Sequence, residues 1–262
     1  MAGAIGIFDS GVGGLTVLRA LRERLPREPT IYLGDTARVP YGTKSPETVI
    51  RYSRNNARFL LDREVKLLVV ACNTATAHAL PTLRAELPVP VIGVVEPGVE
   101  AAVAAAGSGR IGVIGTAGTI ASGAYQRALA ARAPGAWVVA RACPLFVPFA
   151  EEGWTRGEVP EAVAERYLGD LRGAVDALVL GCTHYPLLRG TIAKVLGPEV
   201  ALVDSGTAAA NAVAARLEAD GRLSADPEPE HRIYVTDVPA NFPAVAAQFL
   251  GASPPAVEQV DV

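Results

Sequence analysis

Short runs rich in Val, Ile and Leu alternate with longer alanine-rich stretches through most of the 262 residues. The runs Ile5–Phe8, Thr30–Leu33, Leu67–Ala71, Val91–Val95, Arg110–Ile114, Trp137–Ala140, Ala177–Leu180 and Ala201–Val203 read as strands. They are apolar throughout rather than alternating, as strands covered on both faces are, so the pattern predicts parallel sheets in an α/β fold. Ser45 and Pro46 supply an N-cap and a first helical position for the stretch that follows. Ser205-Gly-Thr207 opens an alanine-rich helix towards Leu217. A polar linker, Asp226-Pro-Glu-Pro-Glu230, then leads to a late strand at Arg232–Val235.

The alternation contains a repeat. Ile5-Gly-Ile-Phe-Asp-Ser-Gly-Val-Gly-Gly14 is echoed by Ile111-Gly-Val-Ile-Gly-Thr-Ala-Gly-Thr-Ile120, Leu68-Val-Val-Ala-Cys-Asn-Thr74 by Leu178-Val-Leu-Gly-Cys-Thr-His184, and Val94-Val-Glu-Pro-Gly98 by Leu202-Val-Asp-Ser-Gly206. Three matches in one order, each 106–110 residues apart, predict two similar units. The tail reads as returning to the first unit. That gives domains of 1–96 plus 207–262 and of 97–206, with a ligand expected beyond the carboxyl ends of the strands, in the cleft between them.

Composition narrows the function. A net charge of −3 gives no footprint for nucleic acid or an anionic membrane. No apolar run approaches the roughly 20 residues of a membrane span, and the first nine residues lack the basic start and apolar length of a signal peptide, so the cytoplasm is the expected location. Three lysines against 21 arginines fit a GC-rich genome or a heat-adapted protein. Cys72, Cys143 and Cys182 are too few, and odd in number, for a disulfide framework.

A lone cysteine is more often a small core side chain than a reactive group. Here two of the three, Cys72 and Cys182, stand just past apolar strands at equivalent places in the repeat, each followed by polar residues. A strand end at a helix N-terminus is expected to lower a thiol's pKa towards the neutral range. Asp9-Ser-Gly-Val-Gly-Gly14 is not a dinucleotide fingerprint, because its third glycine is misplaced, but Asp9 and Ser10 fall at the cleft end of the first strand. Pro40-Tyr-Gly-Thr43 forms a turn whose backbone N–H groups could reach a ligand. Thr116 and Thr119 occupy the turn of the second unit that matches the Asp9 turn, where either could hydrogen-bond a carboxylate. His184 stands two residues after Cys182. Nothing local lifts Glu151 above an ordinary surface glutamate, and Cys143, without the strand-end setting, reads as structural.

Taken together, Asp9-Ser-Gly-Val-Gly-Gly14, Pro40-Tyr-Gly42, Ala71-Cys-Asn-Thr-Ala75, the Cys143-Pro-Leu-Phe-Val-Pro segment ending at Glu151, and Gly181-Cys-Thr-His-Tyr-Pro186 resemble glutamate racemases of the aspartate/glutamate racemase superfamily. The resemblance implies two three-layer α/β domains with mainly parallel sheets, related by pseudo-two-fold symmetry. It implies Cys72 and Cys182 as acid/base pair, assisted by Asp9, Glu151 and His184, with Ser10, Tyr41, Gly42, Asn73, Thr74, Thr116, Thr119 and Thr183 as substrate contacts. Glutamate is the implied substrate, no cofactor or metal is required, and the product D-glutamate would serve peptidoglycan synthesis in a bacterial cytoplasm. The N-terminal extension of activator-dependent members has no counterpart.

Three other chemistries fit less well. A pyridoxal phosphate racemase needs a Schiff-base lysine, and of Lys44, Lys66 and Lys194 only Lys44 lies near a candidate turn. Zinc could recruit Cys72, Cys182 and His184, but no close ligand pair is present. A non-catalytic binding protein would not need a thiol on each wall. Within the superfamily aspartate is the rival substrate, and one methylene is worth only about 1–3 kcal/mol. Oligomeric state is not readable, and a homodimer is kept open.

Overall fold

The computed structural model describes residues 3–107 and 109–262; Met1 and Ala2, where the segment read for a leader begins, lie outside them. Two wholly parallel sheets form, flanked by helices. The first comprises β1 (Ile5–Asp9), β2 (Thr30–Gly34), β3 (Leu67–Val70), β4 (Val91–Gly93), β9 (His231–Val235) and β10 (Val257–Gln259), in the order β10-β9-β2-β1-β3-β4. The second comprises β5 (Arg110–Gly115), β6 (Trp137–Ala142), β7 (Ala177–Gly181) and β8 (Ala201–Asp204), in the order β6-β5-β7-β8.

The run β2-β1-β3-β4 and the run β6-β5-β7-β8 have the same connectivity, which is the repeat made visible. β1, β3 and β7 are buried along their whole length, as continuous apolar strands between helix layers must be.

The intervening helices are α1 (Leu15–Arg24), α2 (Pro46–Leu61), α3 (Asn73–Glu86), α4 (Val95–Ala106), α5 (Ala117–Ala121), α6 (Ala124–Arg132), α7 (Phe146–Glu151), α8 (Glu158–Leu168), α9 (Arg189–Leu196), α10 (Ser205–Ala219) and α11 (Phe242–Leu250). Ser45 caps α2 by accepting from the Thr48 N–H at 3.3 Å, with Pro46 at the first helical position. The polar tail joins the first sheet through β9, which pairs with β2. Residue 96/97 falls in the first turn of α4, and 206/207 in that of α10.

Most strand ends fall within two residues of the sequence reading. The candidate strand Val91–Val95 stops at Gly93, because Val95 already opens α4, where Pro97 in the first turn sacrifices no helical hydrogen bond. α10 opens at Ser205 as read, capped by Asp204, which accepts from the Gly206 N–H at 2.8 Å. β10 was not foreseen: it is a short, largely exposed edge strand with no apolar run.

One apolar cluster runs from Ile7, Leu15 and Leu18 of the first unit through Phe146, Leu180 and Tyr185 of the second, and two smaller ones fill the opposite faces of the sheets. The two units therefore share a packed base beneath the cleft.

Candidate active site

The strand carboxyl ends of both sheets face a cavity of about 220 Å³, below the roughly 300–1,000 Å³ of drug-sized sites. Ser10, Tyr41, Gly42, Cys72, Asn73 and Thr74 line it from the first unit, and Thr116, Cys182, Thr183 and His184 from the second.

On the first wall Cys72 is the N-cap of α3. Its sulfur accepts from the Ala75 N–H at 3.4 Å and its thiol donates to Ser10 Oγ at 3.6 Å. Behind it lies Asp9, fully buried, with Oδ2 accepting from the Gly11 N–H at 3.0 Å and Oδ1 without a partner among the described residues. Burial raises the Asp9 pKa, against the pull of the nearby His184 cation and the turn's N–H groups. Burial, and then the Asp9 charge, push the Cys72 thiol up to about 12.

On the second wall Cys182 Sγ lies 3.8 Å from His184 Nδ1, and His184 Nε2 lies 2.9 Å from Glu151 Oε1 at the end of α7. Burial disfavours a charged ring here, but the Cys182 sulfur and the Glu151 carboxylate outweigh it and raise His184 to about 10. The ring is therefore a cation at neutral pH. Gly13 makes this packing possible: a Cβ there would stand 2.5 Å from His184 Nδ1 and closer still to Cε1 and to Thr183 Oγ1.

Thiols at equivalent strand ends of two repeated units thus open on one cavity. The family model for Asp/Glu/Hydantoin racemase matches residues 13–213. The chain belongs to the Asp/Glu/Hydantoin racemase family. It is 57% identical over 261 residues to the glutamate racemase of Geobacter metallireducens, covering 99% of this chain and 97% of that one. It is 52% identical to a glutamate racemase of Thermus thermophilus, covering 98% and 96%. A crystal structure of the Francisella tularensis glutamate racemase in complex with D-glutamate superimposes with a TM-score of 0.93 at 39% identity, covering 99% and 98% of the two chains.

As a member of this racemase family, the chain brings most of the expected residues together. Asp9, Thr119 and Glu151 stand one layer behind the cavity wall: Thr119 hydrogen-bonds Thr74 and Thr116, each pair of hydroxyls 3.0 Å apart. Tyr41 lines the cavity, but its hydroxyl is committed to Asp35 and Asn56. Gly42 lets this turn touch the second unit, since a Cβ there would lie 2.9 Å from Thr116 Cβ.

Several readings are corrected. Cys72 is not acidified by its helix, because burial and a neighbouring carboxylate outweigh the Ala75 N–H of α3 and the Ser10 hydroxyl. Cys182 does not cap a helix; a 3₁₀ turn at Tyr185–Leu188 intervenes before α9. Cys143 does sit at a strand end, one residue past β6, yet it is buried and pushed up to about 12 by burial, and its carbonyl accepts from the Tyr185 hydroxyl at 2.9 Å. Glu151 is not a free surface carboxylate. Sequence reasoning alone missed Val147 and Pro148 of the cavity wall, although they lie in the segment that carried the resemblance. Among the described residues no His/Cys/Asp/Glu group is arranged to hold a metal, and no helix is long and apolar enough to cross a membrane.

Proposed function

We propose that this chain interconverts L- and D-glutamate without a cofactor, Cys72 and Cys182 transferring the α-proton on opposite faces of the substrate. The carrying observation is that the two thiols reach one small cavity from equivalent strand ends of the two units. Racemisation removes the Cα proton from one face and returns a proton to the other. One cysteine must therefore start as thiolate and the other as thiol, with roles exchanged in the reverse direction.

Burial and the Asp9 charge favour the protonated thiol at Cys72. That state suits L-glutamate, with Cys182 as base, Cys72 as donor, and the His184 cation beside the sulfur that would carry charge. The carbanionic intermediate requires donors on the substrate carboxylate, which Ser10, Asn73, Thr74, Thr116 and Thr183, with the backbone of the Tyr41–Gly42 turn, are placed to supply.

Among the described residues no Lys or Arg lines the cavity, which leaves hydroxyls, backbone N–H groups, the Asn73 side chain and the His184 ring as the groups that would meet the two carboxylates. Asp9, His184 and Glu151 tune the two sulfurs. The division into 1–96 plus 207–262 and 97–206, supply of D-glutamate to peptidoglycan in the cytoplasm, and homodimerisation belong to the same reading. The relatives named glutamate racemase cover nearly the whole chain, whereas the Picrophilus torridus aspartate racemase, at 18% identity and a TM-score of 0.60, shares the fold alone. The test is α-proton exchange in heavy water with D- and L-glutamate and with aspartate. Exchange and interconversion of both glutamate enantiomers are expected in the wild type, with interconversion lost in Cys72→Ser and Cys182→Ser; full interconversion in either variant sinks the two-thiol mechanism, and preference for aspartate sinks the substrate.

A further inference from the structure

Each unit holds the residue that follows the other unit's cysteine. From the second unit, Tyr125 of α6 is fully buried and its hydroxyl donates to Asn73 Oδ1 at 2.7 Å, next to Cys72. The other end of that amide, Asn73 Nδ2, lies 3.5 Å from Ser205 Oγ, whose hydroxyl donates to the Leu180 carbonyl at 3.1 Å, two residues before Cys182. The Tyr125 ring also packs on the second cysteine's strand: a Cβ at Gly181 would stand 3.1 Å from its Cε2.

From the first unit, Thr16 of α1 is buried and its Oγ1 lies 3.0 Å from the Thr183 carbonyl, next to Cys182, and 3.0 Å from the Gly13 carbonyl. The second of these is the local back-bond a helical threonine commonly makes, whereas the first crosses the cleft's base. α1 and α6 occupy comparable places in the two repeats.

We infer that Thr16 and Tyr125 are reciprocal positioning residues, which set the span and register between the two thiols by gripping the residue after each. Neither touches the cavity, so they act through Asn73 and Thr183. Transfer on two faces of one carbon tolerates little drift between walls, and a misplacement of about 1 Å at a reacting group costs about 10²-fold. Losing one of two grips should shift a wall by less than that.

This rests on the two-thiol reading, and the test separates the two. Thr16→Val, Thr16→Ser and Tyr125→Phe are assayed for kcat and KM in both directions, with melting curves. Thr16→Val and Tyr125→Phe are expected to lose about tenfold in kcat with KM within threefold and the protein folded at assay temperature, while Thr16→Ser, which keeps the hydroxyl, stays within twofold of wild type. Wild-type kcat in Thr16→Val and Tyr125→Phe overturns the inference. So does a loss confined to KM, or a Thr16→Ser loss equal to that of Thr16→Val, since keeping the hydroxyl would then preserve nothing. Should Tyr125→Phe fail to fold, the valine–serine pair decides alone. Absence of exchange in the wild type would remove the racemase reading itself.

Discussion

Gly13→Ala isolates the contact between the two walls, because it adds one methyl group and removes nothing. The new Cβ would lie 2.5 Å from His184 Nδ1, whereas ordinary packing of such atoms needs about 3.5 Å. The ring must therefore retreat by about 1 Å. It cannot do so and keep both its 2.9 Å hydrogen bond to Glu151 and its 3.8 Å approach to Cys182. A displacement of that size is worth about 10²-fold in rate, and the overpacking should cost about 1–3 kcal/mol of stability. The assay is α-proton exchange followed by proton NMR in heavy water, beside a urea melt. Gly190→Ala is the control for an added methyl: Gly190 lies in α9 with open space around it, so activity should be unchanged and stability equal or higher. Gly13→Ala protein that exchanges glutamate within threefold of wild type would refute the assignment of His184 to the proton-transfer machinery.

Three further outcomes follow from the electrostatics. His184 is raised from about 6.5 to about 10, so its contribution to stability is complete below about pH 6.5 and fades as pH rises through about 10; between those values the unfolding free energy should fall by up to about 1.4 kcal/mol per pH unit. Glu151→Gln should flatten that slope in urea melts at pH 6, 8 and 10, and an unchanged slope refutes the assignment. Cys72, protonated at neutral pH, should alkylate slowly when mapped by peptide mass spectrometry at pH 8, and Asp9→Asn should accelerate it by removing the like charge; labelling of wild-type Cys72 at the rate of a free thiol contradicts this. Lys66 and Glu28 form a buried ion pair at 2.6 Å, so Lys66→Ala, which strands the carboxylate, should cost about 3–5 kcal/mol by denaturant melt, and a loss under about 1 kcal/mol shows that water reaches the pair.

The parallel sheets were legible because strands buried on both faces write themselves as unbroken apolar runs, and the repeat registered as strand-turn punctuation at a fixed spacing. Cys72 and Cys182 were legible for the same reason. What the chain's local pattern could not show was anything depending on a partner far along it. Glu151 looks like any helix-terminal glutamate until His184, 33 residues on, is brought to it. The direction of the Cys72 shift depends on Asp9, buried 63 residues away in sequence, against a helix terminus that local reasoning had weighted alone. β10 escaped because an exposed edge strand needs apolar residues on neither face. Tyr125 and Thr16 carry no motif at all; they matter only through which residue each touches.

The position of β9 bears on the order in which the protein is made. β5 to β8 are contiguous in the chain, so the second sheet can be complete while the ribosome has yet to deliver residues 231–262. β2 lacks its outer neighbour during that interval, and its five residues, all buried in the finished protein, present an open strand edge. A nascent or truncated chain ending near residue 220 would hold both cysteines and the whole cavity wall, yet carry a sticky edge on the opposite side of the molecule's first sheet. The last strands thus close that edge, and Thr236 just after β9 also donates to Asp35 at 3.0 Å, the carboxylate that holds the Tyr41 hydroxyl.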